Sequence, residues 1–272
     1  MAIGTADKRL PLFELNLRGR GLSPCTVTAF MSDVGQFLAF SEGAYPSRDG
    51  AEAWFASLHE KGLTNKTLSR KRTSLMTFIR WLKMSVELPA IKPESKLPMV
   101  LTEVEARAVL EAATHSRNGL RDHLMVDLLL RTGLRESELL GLTPESLQED
   151  QSALFLKVIG KGAKERRIPI VSRDLVRSVR KYAKDISDGG RLFDMTARNV
   201  RKLVAAIGKR AGLHKPLHPH ALRHTAATLY LRKGVNLESV RRILGHESLA
   251  TTQLYLQLTD DDVAEDLARA KW

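Results

Sequence analysis

The chain has 272 residues, with 43 Lys and Arg against 31 Asp and Glu, a formal net charge of +12 and 43% hydrophobic residues. That hydrophobic content excludes a wholly disordered chain, and the positive excess points to polyanionic partners, nucleic acid first among them. A lone cysteine, Cys25, excludes an intramolecular disulfide and a cysteine-ligated zinc cluster.

The opening MAIGTADKRL lacks the apolar core of a signal peptide, and no stretch approaches the roughly eighteen apolar residues of a membrane span. A cytoplasmic protein without membrane contact is therefore expected, in one large or two modest domains. Residues 1–84 read as helices throughout. Ser23 is an N-cap and Pro24 the first helical residue, after which Val27, Phe30, Val34, Phe37 and Leu38 recur at helical spacing. A second helix over 64–83, TNKTLSRKRTSLMTFIRWLK, sets Leu68, Leu75, Ile79 and Leu82 on one side. Lys66, Arg70, Lys71, Arg72 and Arg80 crowd the rest. Because this charge run has one sign, Lys66, Arg70, Lys71 and Arg72 are candidates for DNA backbone contacts, with a solvated face as the alternative.

Between Met84 and Met99 the stretch ELPAIKPESKLPM holds Pro89, Pro93 and Pro98 and no periodicity, which marks an extended linker. The boundaries are drawn as a helical domain over 1–88, a linker over 89–98 and a second domain over 99–272. Thr102 with Glu105 makes a capping box for a helix running to about Ala113, and helical patterns alternate with turns as far as Leu147. ALFLKVI (153–159) and RRIPIV (166–171), joined through GKGAK, form the one persuasive strand pair, a hairpin. From Ser172 onward the pattern is helical again, broken at Gly189–Gly190, Gly212 and Gly234. The fold class is mainly α, with a small β-hairpin or sheet in the second domain.

Four clusters in that domain carry polar chemistry. In RTGLRESELLGL (131–142), Arg135 opens a helix after Gly133, either pairing with Glu138 three residues on or reaching into a cleft. Lys161 stands between two glycines at the hairpin tip, as a solvated loop residue or a mobile ammonium. In HPHALRHTAATLYLRKG (218–234), His220 and Arg223 share a helix face away from Leu222, Ala226 and Leu229, whereas His218 and His224 read as structural. In ILGHESLATTQLYL (243–256), Gly245 ends a helix before His246, nine residues ahead of Tyr255. The plain reading of that last segment is a surface histidine and a half-buried tyrosine.

Without grouped carboxylates a site built from these residues has no evident place for Mg²⁺, and two imidazoles are too few for a histidine-only zinc site, so no cofactor or metal is expected. Arginine forks and histidine donors suit a phosphate whose charge grows in the transition state, each donor contributing roughly 3 kcal/mol. A tyrosine beside them is a nucleophile. Its phenol, with a reference pKa of about 10, costs roughly 4 kcal/mol to ionise at neutral pH, so a base or a positive pocket is needed. A lysine can protonate the leaving 5′-oxygen.

The order and spacing of TGLRESEL, VIGKGAKER, HALRH and LGH with a tyrosine nine residues on resemble the tyrosine recombinase family, the phage integrase and Xer-type strand-exchange enzymes. LSPCTVTAFMSDVGQFLAF and NKTLSRKRTSLMTFIRWL resemble that family's helical core-binding domain, so the resemblance covers nearly the whole chain and is to the simple two-domain type. It implies that Arg135 and Arg223 clamp the scissile phosphate, His246 donates a hydrogen bond to it, and His220 acts as acid or base. It further implies that Lys161 protonates the departing 5′-hydroxyl and Tyr255 attacks to form a 3′-phosphotyrosine, with Glu138 steadying the arginine region. The implied partners are double-stranded DNA with a specific site and further copies of the chain, four protomers with their two domains closing around the duplex, with a partner recombinase or accessory protein as a further possibility. The tail TDDDVAEDLARAKW would be the helix that docks on a neighbour. Ala226 and Tyr230 depart from the family pattern and put local packing in question. The rivals are a type IB topoisomerase and a catalytically silent DNA-binding module of the same fold.

Overall fold

A computed structural model describes residues 7–92, 98–150, 153–160, 164–246, 252, 253 and 255. The chain divides into two compact units, Met1–Lys96 and Leu97–Trp272.

The first unit is built from α1 (Arg9–Gly19), α2 (Pro24–Phe40), α3 (Arg48–Glu60) and α4 (Asn65–Trp81). Hydroxyl caps start the last three: Ser23, Ser47 and Thr64 each accept from a backbone N–H three residues on, satisfying donors that a first helical turn leaves free. Val27, Val34, Phe37 and Leu38 are buried as their spacing predicts, and Phe13, Trp54 and Phe78 fill the space between the helices. Phe37 meets Trp54 edge-on at 5.4 Å between ring centroids, and Phe13 meets Phe78 at 5.1 Å.

Lys71 corrects the reading of α4. It is 4% exposed, and its ammonium donates to Asp33 Oδ1 (3.0 Å) and Gln36 Oε1 (2.8 Å) on α2. It is therefore no solvent-facing contact for a DNA backbone. The physical reason is Asp33, a carboxylate buried on the packed face of α2, which needs compensating charge and also accepts from Arg70 and Ser74. Arg72 donates to the carbonyls of Pro89 (2.7 Å) and Leu88 (3.1 Å), tying the following segment to the helix. Lys66 is exposed.

The second unit carries α5 (Glu103–Thr114), α6 (Gly119–Thr132), α7 (Glu136–Leu140), β1 (Leu147–Asp150), β2 (Ala153–Ile159), β3 (Glu165–Ile170), α8 (Arg173–Ala183), α9 (Ala197–Arg210), α10 (Pro219–Arg232) and α11 (Leu237–Leu244). The Thr102–Glu105 capping box is present at α5. The strands form an antiparallel sheet in the order β1-β2-β3, with Leu156 opposite both Leu147 and Ile168. The sequence shows the hairpin but not β1, whose residues LQED have no apolar alternation and are held extended by their pairing with β2. Leu154, Leu156 and Val158 point into the core, where Leu124, Met125, Leu128 and Leu129 of α6 lie fully buried. Each such side chain contributes about 1.5–3 kcal/mol of burial.

Helix α10 is enclosed on most sides: Ala221, Leu222, Arg223, Thr225, Ala226, Ala227 and Thr228 are all buried. A central helix of small residues lets its neighbours approach closely, so polar groups on its first turns are held rigidly. Ala226 and Tyr230 fit this packing. Ala226 is 1% exposed, and the Tyr230 hydroxyl donates to the Arg131 carbonyl. No helix among the described residues is long and apolar enough to cross a membrane.

Candidate active site

Two glycine-terminated helices meet the start of α10. Gly133 ends α6 at φ 60° and Gly245 ends α11 at φ 64°, both in the left-handed region that favours glycine. Their space is limited too: a Cβ on Gly133 would lie 2.5 Å from Leu244 Cδ2, and one on Gly245 would lie 3.0 Å from Arg166 Cδ and Nε. Turning the chain there leaves main-chain carbonyls aimed inward, and guanidinium groups satisfy them. Arg223 donates from Nη1 to Gly133 O (2.6 Å) and from Nη2 to Leu244 O (2.7 Å). Arg135 donates from Nη2 to Gly245 O (3.0 Å).

Arg135 is the residue immediately before α7, and Glu138 folds back on it. The Glu138 carboxylate accepts from the Arg135 backbone N–H (2.7 Å) and from Arg135 Nη1 (2.8 Å). Arg166 of β3 approaches the same carboxylate with both Nη1 (2.7 Å) and Nη2 (2.8 Å), a bidentate pair. Burial alone would raise the Glu138 pKa, but the hydrogen bonds and charges of Arg166 and Arg135 hold it down to about 2. The same crowding acts on Arg223, where burial and the neighbouring Arg135 charge lower the pKa to about 10, leaving it charged at neutral pH.

His246 follows Gly245 and is 8% exposed, its Nδ1 sharing a hydrogen bond of 2.9 Å with Thr252 Oγ1. Tyr255, 2% exposed, lies beneath it with ring centroids 6.2 Å apart. The surface histidine and half-buried tyrosine of the plain reading are thus replaced by two enclosed side chains. The Tyr255 hydroxyl bonds to His224 Nδ1 at 2.9 Å. His220 is exposed one helical turn earlier, its ring centroid 6.4 Å from that of His224. His218 caps α10, its Nδ1 accepting from the Ala221 N–H at 3.0 Å.

His224 is what sequence reasoning missed. Its signal is weak, a second histidine in HALRH, and its partner lies 31 residues away. Burial and the adjacent charges of His220 and Arg223 push its pKa down to about 4, and burial with Arg223 and Arg135 does the same to His246. Both imidazoles are neutral at pH 7. Burial raises the Tyr255 phenol above its ordinary value despite the opposing charges of Arg223 and Arg135, so the hydroxyl stays protonated. The positive pocket alone does not ionise it.

The structure brings together Arg135, Arg223, His246 and Tyr255, with His220 at the rim. Lys161 lies outside the described residues; the hairpin that carries it closes with Gly160 N donating to Lys164 O at 2.8 Å. Among the described residues, no three His, Cys, Asp or Glu side chains are grouped to hold a metal ion.

Paired guanidinium groups facing an enclosed phenol on a mainly helical scaffold define a class of enzyme that uses tyrosine on phosphate esters. Residues 99–262 match the model of the phage integrase family. The XerC tyrosine recombinase of Xylella fastidiosa (strain M23) is 31% identical over 261 residues, covering 88% of this chain and 88% of its own. A tyrosine recombinase of Pseudothermotoga lettingae is 34% identical over 269 residues, covering 89% and 91%. The crystal structure of XerH site-specific recombinase bound to palindromic difH substrate, a post-cleavage complex, shares the fold with a TM-score of 0.75 at 20% identity, covering 98% of this chain and 90% of that one. The chain belongs to the phage integrase family and is a tyrosine recombinase.

Proposed function

We propose that the chain cuts and rejoins double-stranded DNA at a specific site through a 3′-phosphotyrosine intermediate. The observation that carries this reading is the convergence of Arg135, Arg223, His246 and Tyr255 on the ends of α6 and α11. In this reading Arg135 and Arg223 hold the non-bridging oxygens of the scissile phosphate and His246 donates a further hydrogen bond, together stabilising the charge of the pentavalent transition state.

Tyr255 Oη attacks the phosphorus, forming the tyrosyl ester while the bond to the 5′-oxygen breaks. Lys161 gives the departing oxygen its proton. His224 holds the phenol before attack and accepts its proton through their hydrogen bond, and His220, one helical turn away, assists as acid or base. Rejoining reverses each transfer with a 5′-hydroxyl from another strand, so the phosphodiester energy is conserved and no nucleotide cofactor is consumed. We further infer that four protomers act on two DNA sites in the cytoplasm, alone or with a partner recombinase or accessory protein, with Lys66 among the backbone contacts. A catalytically silent module is not favoured, because such a protein has no use for a phenol enclosed between two neutral imidazoles.

The test is covalent trapping. Wild type and Tyr255→Phe are incubated with a pool of nicked duplexes, denatured, and the attached DNA is sequenced. Adducts formed by wild type alone support the assignment and define the target. Equal adduct from both would remove Tyr255 from the chemistry.

A further inference from the structure

We infer that Arg166, which is none of the six matched positions, is a positioning residue that locks the hairpin, Arg135 and His246 into one unit. This rests on the functional reading above. Arg166 sits on β3, four residues before its end, with its side chain 14% exposed. Its two terminal nitrogens grip Glu138, and its Nε donates to Ile243 O at 3.0 Å. All three contacts support some other residue of the site.

Glu138 is the carboxylate that orients Arg135 through two hydrogen bonds. Ile243 O belongs to the last turn of α11, and the Arg166 side chain packs directly under Gly245, the turn that aims His246. Gly160, which precedes Lys161, lies on the same network, since a Cβ there would stand 3.6 Å from Arg166 Nη1 and 3.7 Å from Glu138 Oε1. One guanidinium therefore touches the supports of both Arg135 and His246. An ordinary ion pair would need only charge. This one needs a planar fork and a third donor at fixed angles, which a lysine cannot provide. Its placement also couples the hairpin to the phosphate clamp, because a shift of β3 moves Glu138 and the Gly245 turn together.

The experiment uses the full chain and a nicked duplex carrying a site recovered by Tyr255-dependent trapping. Arg166→Lys keeps the charge and removes the fork. Single-turnover cleavage at saturating protein should fall by about thirtyfold, while Kd for the duplex changes by less than about threefold and Tm stays within a few degrees. A Lys variant that cleaves at the wild-type rate, or whose loss is matched by equally weakened binding, overturns the inference. Glu138→Gln supplies the second arm. If the two residues act as one unit, the double variant is no slower than the slower single variant; multiplied losses would overturn it. Failure of wild type to form any Tyr255-dependent adduct overturns the recombinase reading and this inference with it, whereas a wild-type adduct that Arg166→Lys forms equally fast overturns this inference alone.

Discussion

Tyr255 and His224 share a hydrogen bond of 2.9 Å across 31 residues of sequence, which fixes the phenol beside a neutral imidazole. A phenol held in this way is oriented but not ionised. Removal of the partner should therefore act on the chemical step. His224→Ala is expected to slow single-turnover cleavage by about tenfold or more with duplex binding nearly unchanged. A cleavage time course at saturating protein decides it, and a wild-type rate would remove His224 from the reaction.

Arg135 and Arg223 contact the phosphate in the proposed mechanism, so each should matter more in the transition state than in the bound state. Arg135→Ala and Arg223→Lys are each expected to lower cleavage by at least about a hundredfold with modest loss of binding. The lysine change at 223 keeps a cation in a buried position that an alanine would empty. Cleavage by either variant near the wild-type rate would exclude that residue from the site.

Acid should destabilise the second unit earlier than carboxylates alone would make it do. His246 and His224 are held down to about 4 in the folded state, below the ordinary 6.5, so the unfolded chain binds more protons between those values. Their contribution is fully present above 6.5 and is lost as pH falls toward 4. Glu138, held near 2 against an ordinary 4.5, adds a loss of the same sign at lower pH. Thermal unfolding followed from neutral pH downward should show Tm falling already below about 6.5, with a shallower fall in His224→Gln. A Tm that stays flat over that window would contradict the assignment.

In the first unit, Lys71 and Lys66 should behave oppositely. Lys71→Ala leaves Asp33 short of a partner inside the core and is expected to cost about 2–4 kcal/mol, whereas Lys66→Ala should alter stability by less than about 0.5 kcal/mol. Chemical denaturation of both variants measures the difference. Equal midpoints would mean that Arg70 and Ser74 alone satisfy Asp33.

Duplex binding should weaken steeply with salt, because a chain of net charge +12 binds the DNA backbone largely by displacing its counterions. A titration series should give a linear decline of log Kobs with log salt. A flat response would argue against extensive phosphate contact.

Local chemistry made much of the architecture readable. Ser23 with Pro24, Thr102 with Glu105 and the strand-forming run ALFLKVI each name their element without help from the rest of the chain. Arg135, Arg223, His246 and Tyr255 stood out through the resemblance of their motifs to a known family, because the residues alone read as a surface histidine and a half-buried tyrosine in the last segment; the fold brings the four together. What escaped depends on distant partners. Lys71 looks like its neighbours until Asp33, 38 residues earlier, draws it inward. His224 gains meaning only from Tyr255, and the extended conformation of LQED only from the strand beside it.

The carboxylate of Glu138 faces Arg135 and Arg166, with Arg223 close enough to feel its charge. Three cations around this one carboxylate give the pocket a local excess of positive charge. By thermodynamic linkage, an anion that binds there and not to the unfolded chain stabilises the fold with the logarithm of its concentration once that exceeds its Kd. The fold is most stable when it holds what it acts on, and a buffer rich in phosphate would compete with DNA for the place that DNA is meant to fill.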